Sequence, residues 1–243
     1  MKTSRNQKNT KVKEIEKVQR AVEQAAARAI AYIKSARNPT SEGVHAIIDK
    51  ILSAHGCESP EGHIVAGGKQ SAEPHEAGSG RLRRGEPIVI DIYPRSKKSG
   101  YFADMTRTVC VGKPPAQLQK MYAAVLQAQE LALSMIKPGV NGKDIQQAVE
   151  KYFASAGFKT SGKGKEFTYA EGFVHGVGHG VSKKLHANPK INRTGGILKI
   201  GDVVTVEPGL YYKRIGGVRI EDMVVVTKQG HRNLTRFSKK FSI

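Results

Sequence analysis

The chain runs through one plan twice, and the second pass repeats the acidic positions of the first. In each half an amphipathic helix leads to a shorter helix, then a histidine-bearing segment, then an apolar β-forming run ending on a carboxylate. Gly85 precedes Asp91 by six residues and Gly201 precedes Glu207 by six, while Asp91 lies 13 before Asp104 and Glu207 lies 14 before Glu221. Such a duplication confines the fold to two similar lobes. Folded face to face, they bring four carboxylates together.

Periodicity places the elements. Ile15, Val18, Val22, Ala25, Ala29 and Ile33 recur at three- and four-residue steps, which predicts a helix over about 15–36 with one buried stripe. Asn38-Pro39-Thr40 stops it, and Thr40 or Ser41 can cap a second helix that carries Val44, Ile48 and Leu52 and ends at Gly56. The second half matches this with a helix over about 115–137, a break at Pro138-Gly139 and a shorter helix ending at Gly157. Strands are expected at Ile88–Asp91, about Tyr101–Val111, Val203–Glu207 and Val218–Thr227. The second half is longer by about 17 residues before its first acid, and the Gly/Lys-rich stretch from Lys159 to Lys165 accounts for much of that.

A carboxylate at the end of a buried strand is costly unless it is paired, hydrogen-bonded or bound to a cation. Four in symmetric positions repel one another at close range, and divalent cations relieve that. The segment His175-Gly-Val-Gly-His179, followed by His186, supplies imidazole among glycines that permit close backbone approach. Carboxylates supplemented by imidazole suit Mn, Zn, Co or Fe.

Together, His-x3-His-x6-His, Asp-x12-Asp trailing into Asp-Met-Thr-Arg-Thr, Glu-Pro-Gly-Leu-Tyr and Gly-Gly-Val-Arg-Ile-Glu-Asp resemble the pita-bread metallopeptidases. That family includes methionine aminopeptidase, prolidase and aminopeptidase P, and the likeness runs from the first helix to about Thr227. The resemblance implies an α+β fold with pseudo-twofold symmetry, a curved antiparallel sheet backed by helices. It implies a basic tail over 1–14 and one catalytic domain over 15–243, with pseudo-repeats at about 15–111 and 115–227. It makes Asp91, Asp104, His179, Glu207 and Glu221 the ligands of two divalent metal ions, manganese foremost, with cobalt, zinc or iron as alternatives. Asp91 chelates one ion, His179 and Glu207 the other, and Asp104 and Glu221 bridge both. A hydroxide shared by the two ions attacks the scissile carbonyl, and Glu207 passes a proton toward the leaving amine. His75 and His186 contact substrate and steady the tetrahedral intermediate; His175 is a further substrate-binding position, and Arg219 supports the ligand carboxylates from behind.

Within the family, His175, four residues before the metal histidine, and the close spacing of the last two motifs point toward Xaa-Pro cleavage and away from methionine aminopeptidase, which stays the alternative. Prolidases and aminopeptidase P usually carry an additional N-terminal domain, whereas about fourteen basic, polar residues precede the first helix here, so peptide length preference and a homodimer stay open. Forty Lys and Arg against 21 Asp and Glu give a net charge of +19, which keeps a protein-, nucleic-acid- or ribosome-binding role in view although no zinc-finger or RNP motif accompanies it. Two cysteines, Cys57 and Cys110, make no disulfide framework and suit a reducing compartment. With no apolar run near the ~20 residues a membrane span needs and no apolar run in the first twenty residues, a cytoplasmic protein is expected.

Overall fold

In the computed structural model, which describes residues 2–160 and 171–243, each half opens on a pair of helices. These are α1 (Lys2–Ser35) with α2 (Ser41–Ala54), and α3 (Ala116–Met135) with α4 (Gly142–Ser155). Thr40 caps α2 by accepting from the Gly43 amide, and Asn141 caps α4 by accepting from Lys143. The first helix starts well before Ile15: from Lys2 onward the segment expected as a tail continues it. Lys, Arg, Gln and Glu are good helix formers, and no Gly or Pro interrupts 2–14. Among the side chains described, the buried face begins at Val12 and Ile15, whereas residues 2–11 offer no apolar stripe in sequence.

The strands are β1 (Cys57–Glu58), β2 (Ile64–Gly67), β3 (Pro87–Ile92), β4 (Arg95–Ser96), β5 (Met105–Cys110), β6 (Gly178–Gly180), β7 (Ala187–Ile191), β8 (Val203–Val206), β9 (Gly209–Tyr212), β10 (Gly216–Arg219), β11 (Asp222–Val226) and β12 (His231–Asn233). A short 3-10 helix, Gly68–Ala72, follows β2. The first half forms the antiparallel sheet β2-β3-β5; the second forms β12-β11-β8-β6-β7, in which β6-β8-β11 repeats the first motif. Central strands β3 and β8 are each entered through a left-handed glycine, Gly85 at φ 79° and Gly201 at φ 88°, six residues before the acid. The architecture is the α+β, pseudo-twofold arrangement expected. The part of the Lys159–Lys165 stretch beyond residue 160 lies outside the described residues.

Two apolar cores form, and the first is completed by Val203, Met223, Val225 and Leu234 from the second half. α1 and α2 pack Val22, Ile33, Ile48 and Leu52 against Ile88, Ile90 and Val109, while α3 and α4 pack Val125, Ile145 and Phe153 against Val204, Val206, Ile220 and Val224. The lobes meet along β5. Thr108 Oγ1 donates to the Arg219 carbonyl (2.9 Å), and the Glu221 amide donates to the Thr106 carbonyl (3.1 Å). That second bond is possible because the strand expected to run unbroken from Val218 to Thr227 is interrupted at Ile220 and Glu221. Beside the junction, Arg107 is buried with its guanidinium on Asp222 Oδ1 (2.8 Å) and on the carbonyls of Thr106, Glu221 and Phe237. No helix among the described residues is long and apolar enough to cross a membrane.

Candidate metal centre

The five positions expected to hold metal come together in a cavity of about 310 Å³. Asp91 stands in β3 and Asp104 just before β5; Glu207 directly follows β8 and Glu221 directly precedes β11. Glu207 and Glu221 are thus each one residue beyond the Val206–Asp222 pair of the ladder, and Asp91, opposite Thr106, shares a face with Asp104 two residues earlier. His179 sits in β6, where Gly178 and Gly180 let the strand press on its neighbours. A Cβ at Gly178 would lie 2.1 Å from the Thr205 carbonyl oxygen, and one at Gly180 would lie 2.2 Å from that of Asn188.

The donor atoms converge. Oxygen and nitrogen atoms of Asp104, His179 and Glu221 lie within 4.8 Å of one another, and His179 Nε2 is 3.7 Å from Asp104 Oδ2 and 3.2 Å from Glu207 Oε1. His179 Nδ1 faces the Gly180 carbonyl at 3.1 Å, so the tautomer protonated on Nδ1 leaves the Nε2 lone pair directed at the acids. Asp91 Oδ1, Asp104 Oδ1 and Glu221 Oε1 are buried acceptors with no hydrogen-bond partner among the described residues. Buried acceptors are ordinarily satisfied, and three such oxygens in one cavity beside the imidazole of His179 form a donor set suited to divalent cations. The residues present therefore fit the two ions that the resemblance implies.

Electrostatics point the same way. Burial first, and then the neighbouring carboxylates, push Asp104 and Glu221 well above the usual carboxylate range. Glu207 is also pushed up by burial, but the hydrogen bond and charge of His179, with His175 and Arg219, outweigh that and bring it down to about 2.

The supporting contacts were only partly legible beforehand. Arg219, expected behind the ligands, donates from Nη2 to Asp91 Oδ2 (2.7 Å) and from Nε to Thr106 Oγ1 (3.1 Å). Thr106 in turn donates to Glu221 Oε2 (2.9 Å), and Thr205 Oγ1 donates to Glu207 Oε1 (3.1 Å) while accepting from the His179 amide. These two threonines and Tyr211 went unassigned; Thr106 and Tyr211 lie inside quoted motifs, which was their one signal. His75 and His186 are exposed and line the cavity, the His186 ring centroid 4.5 Å from that of His179. His175 lines it too, but both its nitrogens are engaged, Nδ1 with the Gly176 carbonyl and Nε2 with the Tyr211 hydroxyl (2.8 Å each). Since Arg219 Nη1 also donates to that hydroxyl (2.6 Å), His175 braces Tyr211 and the arginine.

Known proteins share both the pattern and the fold. The Xaa-Pro dipeptidase of Pyrococcus furiosus is 34% identical over 231 residues, which are 93% of this chain and 63% of that protein. The prolidase of Pyrococcus horikoshii OT3 superimposes with a TM-score of 0.85 at 32% identity, covering 96% of this chain and 63% of the other. The X-Pro aminopeptidase of Thermotoga maritima MSB8 gives 0.85 at 30% identity over 97% and 63%. The chain thus spans somewhat under two thirds of the relatives it matches, and it shares their pita-bread fold. The pattern of Metallopeptidase family M24 matches residues 13–228, from the first helix through the last of the converging acids, and the chain belongs to that family.

Proposed function

We propose that this chain is a two-metal exopeptidase that removes the N-terminal residue of peptides at Xaa-Pro bonds. The observation that carries this reading is the convergence of Asp91, Asp104, His179, Glu207 and Glu221 on one cavity with three carboxylate oxygens left without partners. Those five residues would hold the ions, manganese foremost. When bound, divalent cations supply Lewis acidity toward the scissile carbonyl and a nucleophilic water at neutral pH. The chain's own groups do the rest. Glu207, 3.2 Å from His179 Nε2 in the cavity, takes a proton and returns it toward the leaving amine. His75 and His186 face the bound peptide from the exposed side and donate to its developing oxyanion. Arg219 and Thr106 hold Asp91 and Glu221 in place from the buried side. The relatives named for Xaa-Pro peptidases support proline after the scissile bond. The unpaired, buried Cys57 and Cys110 support a reducing, cytoplasmic setting.

With manganese bound, the chain is expected to hydrolyse Gly-Pro or Ala-Pro-Ala and to lose that activity on chelation. Turnover of Met-Ala-Ser alone would overturn the proline reading in favour of a methionine aminopeptidase. No turnover of any of the three by manganese-bound protein would overturn the exopeptidase reading itself. Arg219→Ala should lower metal affinity or kcat/KM roughly 10–100-fold, the usual effect of removing a group that orients a metal ligand. Titration calorimetry of manganese beside steady-state kinetics measures both.

A further inference from the structure

Five described acids line the cavity, and one of them, Glu61, has no part in the converging set. Glu61 is exposed, stands beside the left-handed Gly62 (φ 79°), and forms no salt bridge among the described residues. On a chain of net charge +19, an uncommitted carboxylate at the mouth of the cavity calls for a partner. Its surroundings are apolar and aromatic, with His186 near enough to feel its charge. Ile64, Tyr93 and Leu185 line the same wall, and the Tyr93 hydroxyl makes a long hydrogen bond to the Glu61 carbonyl (3.5 Å). Aliphatic and aromatic surface leading to an exposed carboxylate matches a long cationic side chain, whose methylene stem packs while its head stays wet and paired.

The position of this wall decides which part of a peptide meets it. Ile64 pairs with Asp91 across β2 and β3, and Tyr93 follows Asp91 by two residues, so Glu61 borders the Asp91 flank. Lys190, which feels the charge of Glu207, stands with it on the sheet of the other lobe. If Glu207 hands its proton to the leaving amine, the leaving residue lies on its own side. The side chain of the first residue then points toward Glu61. We propose that Glu61, Ile64, Tyr93 and Leu185 form the subsite for the first residue's side chain and select peptides that begin with lysine or arginine. This deepens the Xaa-Pro reading and rests on it.

The test compares lysyl-proline, norleucyl-proline and glutamyl-proline with the manganese-bound full chain. Norleucine keeps the stem and the α-amine of lysine and lacks only the ammonium group. The expected ratio of kcat/KM for lysyl- over norleucyl-proline is about tenfold, the scale of one charge-assisted contact, and it should shrink in high salt because the carboxylate is exposed. Glu61→Gln should bring that ratio close to one, and Glu61→Lys should turn the preference toward glutamyl-proline. A wild-type ratio of one or less overturns the proposal, and so does a ratio that Glu61→Gln leaves unchanged; equal slowing of all substrates would place the α-amine, not the side chain, at Glu61. In these cases norleucyl-proline is still cleaved and the Xaa-Pro reading stands. Failure to cleave any of the three by manganese-bound protein overturns both.

Discussion

Replacing Glu207 with glutamine should lower kcat by about 10²–10⁴-fold, the range typical for losing a positioned acid–base group. Glutamine keeps the shape, keeps an oxygen that can accept from Thr205, and removes both the charge and the capacity to carry a proton. In the folded chain Glu207 lies 3.2 Å from His179 Nε2 and is held down at about 2, so it stays ionised across the neutral range. Manganese binding by the variant should weaken but persist, because Asp91, Asp104, His179 and Glu221 remain. Stopped assays read beside metal content separate the two effects. A variant that binds manganese normally and keeps kcat within threefold would remove Glu207 from the proton-transfer role.

The second large effect concerns stability. Asp222→Ala should cost about 3–5 kcal/mol, the scale for breaking a buried ion pair from one side. Arg107 and Asp222 are 2% and 1% exposed, and removing the carboxylate leaves a guanidinium buried against carbonyls alone. Although burial pushes Asp222 up, Arg107 and Lys239 outweigh it and lower its pKa below the ordinary 3.8. The sign follows from linkage. A depressed carboxyl contributes stability that is fully present above its unfolded pKa, near 4, and is lost as pH falls through the folded value. The penalty of Asp222→Ala should therefore be constant from about pH 5 to 8 and shrink in stronger acid. Urea denaturation at several pH values measures it. A penalty below 1 kcal/mol at pH 7 would show that the buried pair adds little.

The acids and His179 were legible because their chemistry demands one residue type at one place, and the chain repeats that demand at near-constant spacing. The turn glycines Gly85 and Gly201 were legible for a similar reason, since few residues other than glycine take their left-handed backbone at low cost. Other features depend on partners far away in sequence. The interruption at Ile220 and Glu221 comes with a hydrogen bond to the Thr106 carbonyl of the other lobe, and nothing local announces it. Residues 2–14 carry helix propensity but little apolar periodicity, so the pattern that located the rest of α1 was silent there. Tyr211 and Thr106 belong to recognisable motifs, yet their roles exist only once Arg219 stands between them. Glu61 reads in the sequence as one more surface acid, and only the cavity separates it from the others.

Each lobe contributes two carboxylates to the cavity, Asp91 and Asp104 from one and Glu207 and Glu221 from the other, with His179 on the side of the second. A chain emerging during synthesis holds only half the site until Glu221 has been made and docked on Thr106, and its first core also waits for Val203, Met223, Val225 and Leu234. The converging carboxylates are thus assembled only when the two lobes dock.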